Sequence, residues 1–294
     1  MPINHSFSIL MCNIKLVIKL TLLITIIGLI IYALLSSVIT PFAHGIYGVI
    51  STSEIDANQL LAHPIITIKT QILDRCVAYI KNTQWRHSLA YVCLIFFAYR
   101  LLITVTQLPV TKVLYNKMQS GYDIGLFHAF IATGFQNLLL SVIYSIVYFL
   151  TDVGLFFGFG SLLLLSLNSN YIFIPLIIIA YVCVSSARTC IMSQWMPEIC
   201  ASQSKNIFIG LKISFKCAFK RFFKNFMCFT TINFVKFTII ASTLLTTFGV
   251  IPLISIPVFI VLSCALSLTL NFSYHQQKYF IDNGSTVYNP SKLF

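Results

Sequence analysis

Charge is what this chain has least of, and acidic charge above all. Only 7 of its 294 residues are Asp or Glu, and charged residues of both signs make up 9%. A soluble domain clothes itself with about 25% charged residues, so an ordinary water-facing surface is excluded. Carboxylate catalysis loses its parts as well: the seven acids are scattered from Glu54 to Asp282, and no two sit together in an apolar stretch where an acid and a base would be needed. The other absences agree. There is no H-E-x-x-H, no phosphate-binding Gly-rich loop with its Lys, and no G-x-S-x-G, so zinc hydrolysis, nucleotide hydrolysis and serine hydrolase chemistry have no foothold. Nine cysteines are present without one C-x-x-C, and only Cys76 falls in a segment expected outside the membrane; a disulfide framework is not expected. His44, His63 and His87 share one loop but lack ligand spacing and read as surface histidines. No catalytic, cofactor-binding or metal-binding residue is therefore assigned.

What the chain does have is hydrocarbon: 58% hydrophobic residues and a mean hydropathy of +0.90. A bilayer is the solvent that accepts such a surface. Windows of about 20 apolar residues predict an all-α polytopic bundle with six spans, at 20–39, 88–108, 135–160, 171–187, 225–250 and 252–272. The first follows Lys15 and Lys19, but its apolar core is longer than a signal-peptide core of about 7–15 residues, so it reads as an uncleaved anchor. Pro109 is expected to close the second span, and Pro252 to open the sixth after a tight turn at Gly249.

The stretch from Asp123 to Arg188 holds only Asp152 as charge, and hydropathy allows two or three crossings there. Lysine and arginine placement decides for two. With six spans, thirteen cations fall on one side and four (Lys69, Arg75, Lys81 and Arg86) on the other. That asymmetry puts both termini in the cytosol. Either the third helix is long and tilted, reaching toward Leu167, or Val153 to Leu165 folds back as a re-entrant segment; Gly154, Gly158 and Gly160 permit both.

Two added helices are predicted. In the extracytoplasmic loop 40–87, Ile65, Ile68, Ile72, Cys76, Tyr79 and Ile80 recur at three- and four-residue steps, the spacing of an amphipathic helix. In the cytosolic loop 188–224, the stretch 204–224 places Lys205, Lys212, Lys216, Lys220 and Lys224 on one broad face, with Ile207, Leu211, Phe215, Ala218 and Phe222 opposite. Such a helix lies in the membrane interface with its lysines at anionic headgroups. The net charge of +12 is thus assigned to topology and lipid, not to nucleic acid: no Arg-Gly run, zinc-finger spacing or RNA-binding aromatic signature accompanies it. The tail 273–294 completes the cytosolic side.

Arg100 and Lys236 are the cations inside spans, about eight and eleven residues from the cytosolic ends, or roughly 12 and 17 Å. No acid is expected at that depth, since Asp152 is placed near the outer side. Snorkelling explains Arg100 and, with a tilted span, Lys236. Gln136, Asn233 and their neighbours serve helix–helix hydrogen bonds or, alternatively, line a hydrated cavity.

Trp195-Met196-Pro197-Glu198 after the fourth span, the basic stretch Leu211 to Phe223, the proline-bounded hairpin and the tail Gln277-Lys278-Tyr279-Phe280-Ile281-Asp282 resemble uncharacterised six-helix membrane protein families of low-GC Gram-positive bacteria. Looser relatives include the membrane domain attached to some glycerophosphodiester phosphodiesterases. The resemblance implies a bacterial plasma-membrane protein and supplies no catalytic residue. The expectation is a non-enzymatic accessory or scaffold protein without a cofactor. Its partners are the lipid bilayer, through anionic headgroups, and other membrane proteins. The alternatives are a small permease or transporter subunit, for an anionic solute among others, and, third, a membrane enzyme in which the outer histidines or carboxylates converge. A reporter fused after Phe294 is expected on the cytosolic side, read by protease or alkylation access in intact cells; an external reporter would overturn the six-span count.

Overall fold

The computed structural model describes residues 2–51, 74, 75, 78, 85–169, 171–201, 207–220, 222–244, 250–282 and 286–288. It is all-α apart from one two-stranded hairpin. The helices are α1 (Pro2–Cys12), α2 (Ile14–Ser51), α3 (Trp85–Ser120), α4 (Leu126–Ser169), α5 (Ile174–Ser193), α6 (Trp195–Ala201), α7 (Ile207–Lys220), α8 (Phe222–Leu244) and α9 (Val250–Tyr274). Strands β1 (Tyr279–Phe280) and β2 (Val287–Tyr288) pair antiparallel, Tyr279 opposite Tyr288. Among the described residues three stretches are long and apolar enough to cross a membrane: Leu138–Leu163, Ile174–Ala201 and Ser255–Tyr274, each with mean hydropathy 1.9. A fourth exists if α1 and the Ile14–Ile30 part of α2, bent 74° from each other, form one broken span.

The chain divides into two compact units. The first holds Met1–Thr25, Leu101–Val147 and Ala180–Phe294. Its centre is α9, whose apolar residues occur on every side of the helix (Phe259, Val261, Leu262, Leu266, Leu268 and Phe272 are all buried). A helix apolar all round must be covered all round, and 78% of its spanning window is buried. α1, α6 and α8 pack on it. Phe272 stacks on Tyr115 of α3, with ring centroids 5.4 Å apart, and meets Tyr279 of β1 at 5.5 Å. The hairpin closes over α1: the His5 ring nitrogen Nδ1 is 2.8 Å from the Tyr279 hydroxyl, and the His5 ring lies edge-on to Tyr288 at 4.4 Å. Burial pushes the His5 imidazole below its ordinary value and the Tyr279 phenol above its own, so both groups are neutral partners at neutral pH.

The second unit holds Ile26–Arg100 and Tyr148–Ile179. Here the surface is apolar. Phe156, Phe157, Leu162, Ile172, Leu176 and Ile179 are exposed. Contiguous exposed hydrocarbon of this extent needs a hydrocarbon neighbour, which a bilayer supplies.

Several expectations change. Pro109 does not end a helix; it lies inside α3, which runs on to Ser120. Its ring removes the N–H that would serve the Val105 carbonyl. Membrane helices tolerate such a proline where neighbouring groups re-satisfy the freed backbone. Within α4 the one break is Gly134, at φ 43° and ψ −133°, a left-handed conformation that favours glycine. Beyond it the helix continues through Gly154, Gly158 and Gly160, so Val153 to Leu165 extends the helix and does not fold back.

Of the basic segment 204–224, residues 207–220 (α7) and 222–224, the start of α8, are described, and all are helical. α1 and the hairpin were not anticipated. Of the expected outer helix Ile65 to Ile80, only 74, 75 and 78 are among the described residues, all helical; the rest lies outside them, as does the turn at 245–249.

Removing a buried side chain from α9 tests its central place. Leu266→Ala is expected to cost about 2–5 kcal/mol, read as a lowered Tm in detergent. Leu176→Ala, on the exposed side of α5, should leave Tm near that of the native chain.

Candidate functional site

Three polar assemblies stand out. In the first unit Glu198, on the short helix α6, is buried, its side chain 3% exposed. One carboxylate oxygen, Oε1, accepts from Asn271 Nδ2 at 2.7 Å and meets His275 Nε2 at 2.7 Å. Asn271 and His275 are four residues apart and so stack one turn above the other at the end of α9. That spacing lets both reach one oxygen. α6 is positioned by Trp195, which packs on Tyr144 at 5.5 Å. The preceding residue, Gln194, accepts from Cys217 of α7 at 3.4 Å. A carboxylate in an apolar setting is stable only when donors surround it. The trio therefore clasps α6 to α9. It has one carboxylate and one imidazole, and no cluster of three metal-ligating side chains occurs among the described residues.

In the second unit Arg100 Nη2 is 3.3 Å from Asp152 Oδ2, with side chains 22% and 18% exposed. The guanidinium also lies 4.5 Å over the Tyr148 ring. Tyr148 and Asp152 are again four apart, on α4, so one helix face offers both an anion and a π-face to the cation. Phe97, one turn before Arg100, meets Phe149 edge-on at 5.5 Å. The expectation that no acid reaches the depth of Arg100 is thus corrected. Because α4 runs unbroken from Phe135 to Ser169, Asp152 falls in mid-helix and not at an outer end. A lone intramembrane cation is expensive and a paired one much less so.

The third assembly is the outward side of α7. Ser214, Cys217 and Ala218 are buried beneath it, while Lys212, Lys216 and Lys220 are exposed along one strip. Phe215 and Phe219 form a second exposed strip beside the lysines, not opposite them as the periodicity had placed Phe215. At about 100° per residue the helix thus has three sectors: small and buried, aromatic and exposed, basic and exposed. The phenylalanines stack in register, Phe215 on Phe219, Phe219 on Phe222 and Phe222 on Phe226, at 6.5, 5.9 and 5.7 Å and within 19° of parallel. This ladder runs from α7 into α8. Lys220 Nζ additionally sits 5.1 Å over the Tyr274 ring, beside His275.

The remaining candidates do not converge. Lys224 is exposed but belongs to α8, and Lys205 lies outside the described residues. Asn233 donates to Ser186 Oγ at 3.0 Å, joining α8 to α5. Lys236, one turn further along α8, is half-buried. Gln136 lies on α4 two residues past Gly134. Glu198, Asn271, His275, Asp152 and Tyr148 were missed as a set. Their signal was present: an acid in an apolar chain demands a partner, and N-x-x-x-H at the end of the last span offers two donors on one face.

No protein-family model, curated protein or solved structure matches this chain.

The Arg100–Asp152 pair yields a double-mutant cycle. Arg100→Met and Asp152→Asn are each expected to lower stability by about 1–3 kcal/mol, because each leaves a polar group without its partner. Combined, they should lose less than the sum, with a coupling of about 0.5–3 kcal/mol, measured by thermal unfolding in one detergent. Strict additivity would show that the two residues do not act as a pair.

Proposed function

We propose that this chain is a six-span integral membrane protein of a bacterial plasma membrane, with both termini cytosolic. It works as a non-enzymatic accessory or scaffold component and holds α7 against anionic lipid headgroups. The observation that carries the reading is the side-by-side arrangement on α7 of an exposed lysine strip and an exposed phenylalanine strip. Aromatic side chains seat at the boundary of headgroups and acyl chains while neighbouring lysines stay at the phosphates. A helix exposed to water alone would gain nothing from Phe215 and Phe219 facing outward.

The polar residues support the scaffold reading. Asn233 joins two helices, Arg100 joins α3 to α4, and Glu198 joins α6 to α9. These are helix-to-helix ties, not a row of groups along a solute path. The seven acids supply no pair within an apolar stretch for acid/base work, and the extracytoplasmic loop 40–87 is too short for a catalytic domain.

The lysines can be tested on the intact protein. In mixed micelles or nanodiscs of phosphatidylglycerol and phosphatidylcholine, the native chain is expected to retain the anionic lipid preferentially, and less so as salt rises. Replacing Lys212, Lys216 and Lys220 by Gln should reduce that preference by about tenfold or more, at about 1 kcal/mol per cation near the surface. An unchanged lipid ratio would refute the headgroup contact.

A further inference from the structure

Helix α1 meets α2 at an elbow of 74°, and the elbow is built. Asn13, at the joint, is buried. Its side-chain Nδ2 donates to the Ile9 carbonyl at 2.6 Å and so finishes α1; its backbone carbonyl accepts from Leu16 and Val17 at 2.9 and 3.2 Å and so starts α2. Its Oδ1 accepts from Lys117 Nζ of α3 at 2.7 Å. One residue therefore serves both helix ends, whose backbone groups would otherwise lack partners, and the half-buried Lys117 braces it from outside. The hairpin closes the other flank, with Cys12 Sγ 3.7 Å from Asp282 Oδ1.

The face of α1 that packs on α9 consists of Ser6, Ile9 and Leu10. On the other face Phe7 and Met11 are exposed, and past the elbow Ile14, Ile18 and Leu22 of α2 form an exposed apolar row. These steps of three and four residues hold each row to one face of its own helix, and the exposed Met11 and Ile14 flank the joint. Lys15 and Lys19 are exposed beside the row in the first two turns of α2, where headgroups would lie. α1 itself carries no Lys, Arg, Asp or Glu.

We infer that α1 is an in-plane membrane anchor whose Phe7 and Met11 insert among the upper acyl chains of the leaflet at which α2 enters. The occupant of the exposed face is lipid. The exposed apolar rows of α1 and α2 flank one joint, and a helix 74° from a spanning helix lies close to the membrane plane. The depth expected is about 5–10 Å into the headgroup and acyl boundary. This inference rests on reading α2 as a membrane-crossing helix, and it adds a second interfacial element that binds by apolar insertion, whereas α7 binds by charge.

The test uses the full chain reconstituted in vesicles of phosphatidylcholine brominated high on its acyl chains. Fluorescence added by Phe7→Trp is read over that of Trp85 and Trp195. The added emission is expected to fall about twofold in brominated vesicles, to resist aqueous iodide, and to be indifferent to salt. Met11→Trp gives the same reading if the first variant does not fold. Quenching by iodide would overturn the inference because the face would be in water. Protection from both quenchers would overturn it in favour of a protein covering, such as a second copy. The readout needs neither the orientation of Phe294 nor the α7 lysines, so failure of the topology or of the anionic contact is recognised separately.

Discussion

A helix apolar on all sides has nowhere to stand except among other apolar surfaces, and α9 is such a helix. The first unit is arranged around meeting that demand: α1, α6 and α8 lie against it, Tyr115 stacks on its Phe272, and the terminal hairpin lays Tyr279 over its end. At about 25 cal/mol per Å² of apolar surface removed from contact with solvent, burial of this kind outweighs any single polar contact in the unit when the solvent is water. Within a bilayer the gain comes from close packing, since lipid is as apolar as the core. The small residues Ala265 and Ala218, both fully buried, fit that requirement.

Polar groups then do what apolar packing cannot, which is to choose one register. A rotation of α6 by one residue would keep it apolar against α9 but would tear Glu198 from Asn271 and His275. A comparable slip between α3 and α4 would separate Arg100 from Asp152 and from the Tyr148 ring. Each tie is local, short and made of residues one helical turn apart, so each acts as a peg on an otherwise featureless surface. With only seven acids in the chain, two of them are spent in this way, and a third, Asp282, stands beside the elbow of α1 and α2.

The proposed interfacial elements follow from the same shortage of charge. Basic residues concentrate in α7 because the spans exclude them, and there they stand beside phenylalanines that stack continuously into α8. That ladder runs from α7 into α8. α8 is itself tied to α5 through Asn233 and Ser186.

Much of this was legible beforehand. Hydropathy alone announced an all-helical chain and helices long enough for a membrane, because twenty consecutive apolar residues have no other stable use. The basic amphipathic segment was legible as periodicity. Pro109 does not end α3, which runs on to Ser120, because a membrane helix tolerates a proline where neighbouring groups re-satisfy the freed backbone. Phe215 was assigned to the wrong face because periodicity gives an angle and not a neighbour: Cys217 and Ala218, small enough for close approach, took the buried side.

By itself, then, the amino-acid order determined the solvent this protein requires and the stretches able to become helices, since both follow from local composition and repeat. Which acid meets which base, where α1 turns, and which side of α7 remains open were decided only in three dimensions. Those pairings join residues as far apart as His5 and Tyr279 or Asn13 and Lys117, and no local pattern encodes a partner hundreds of positions away.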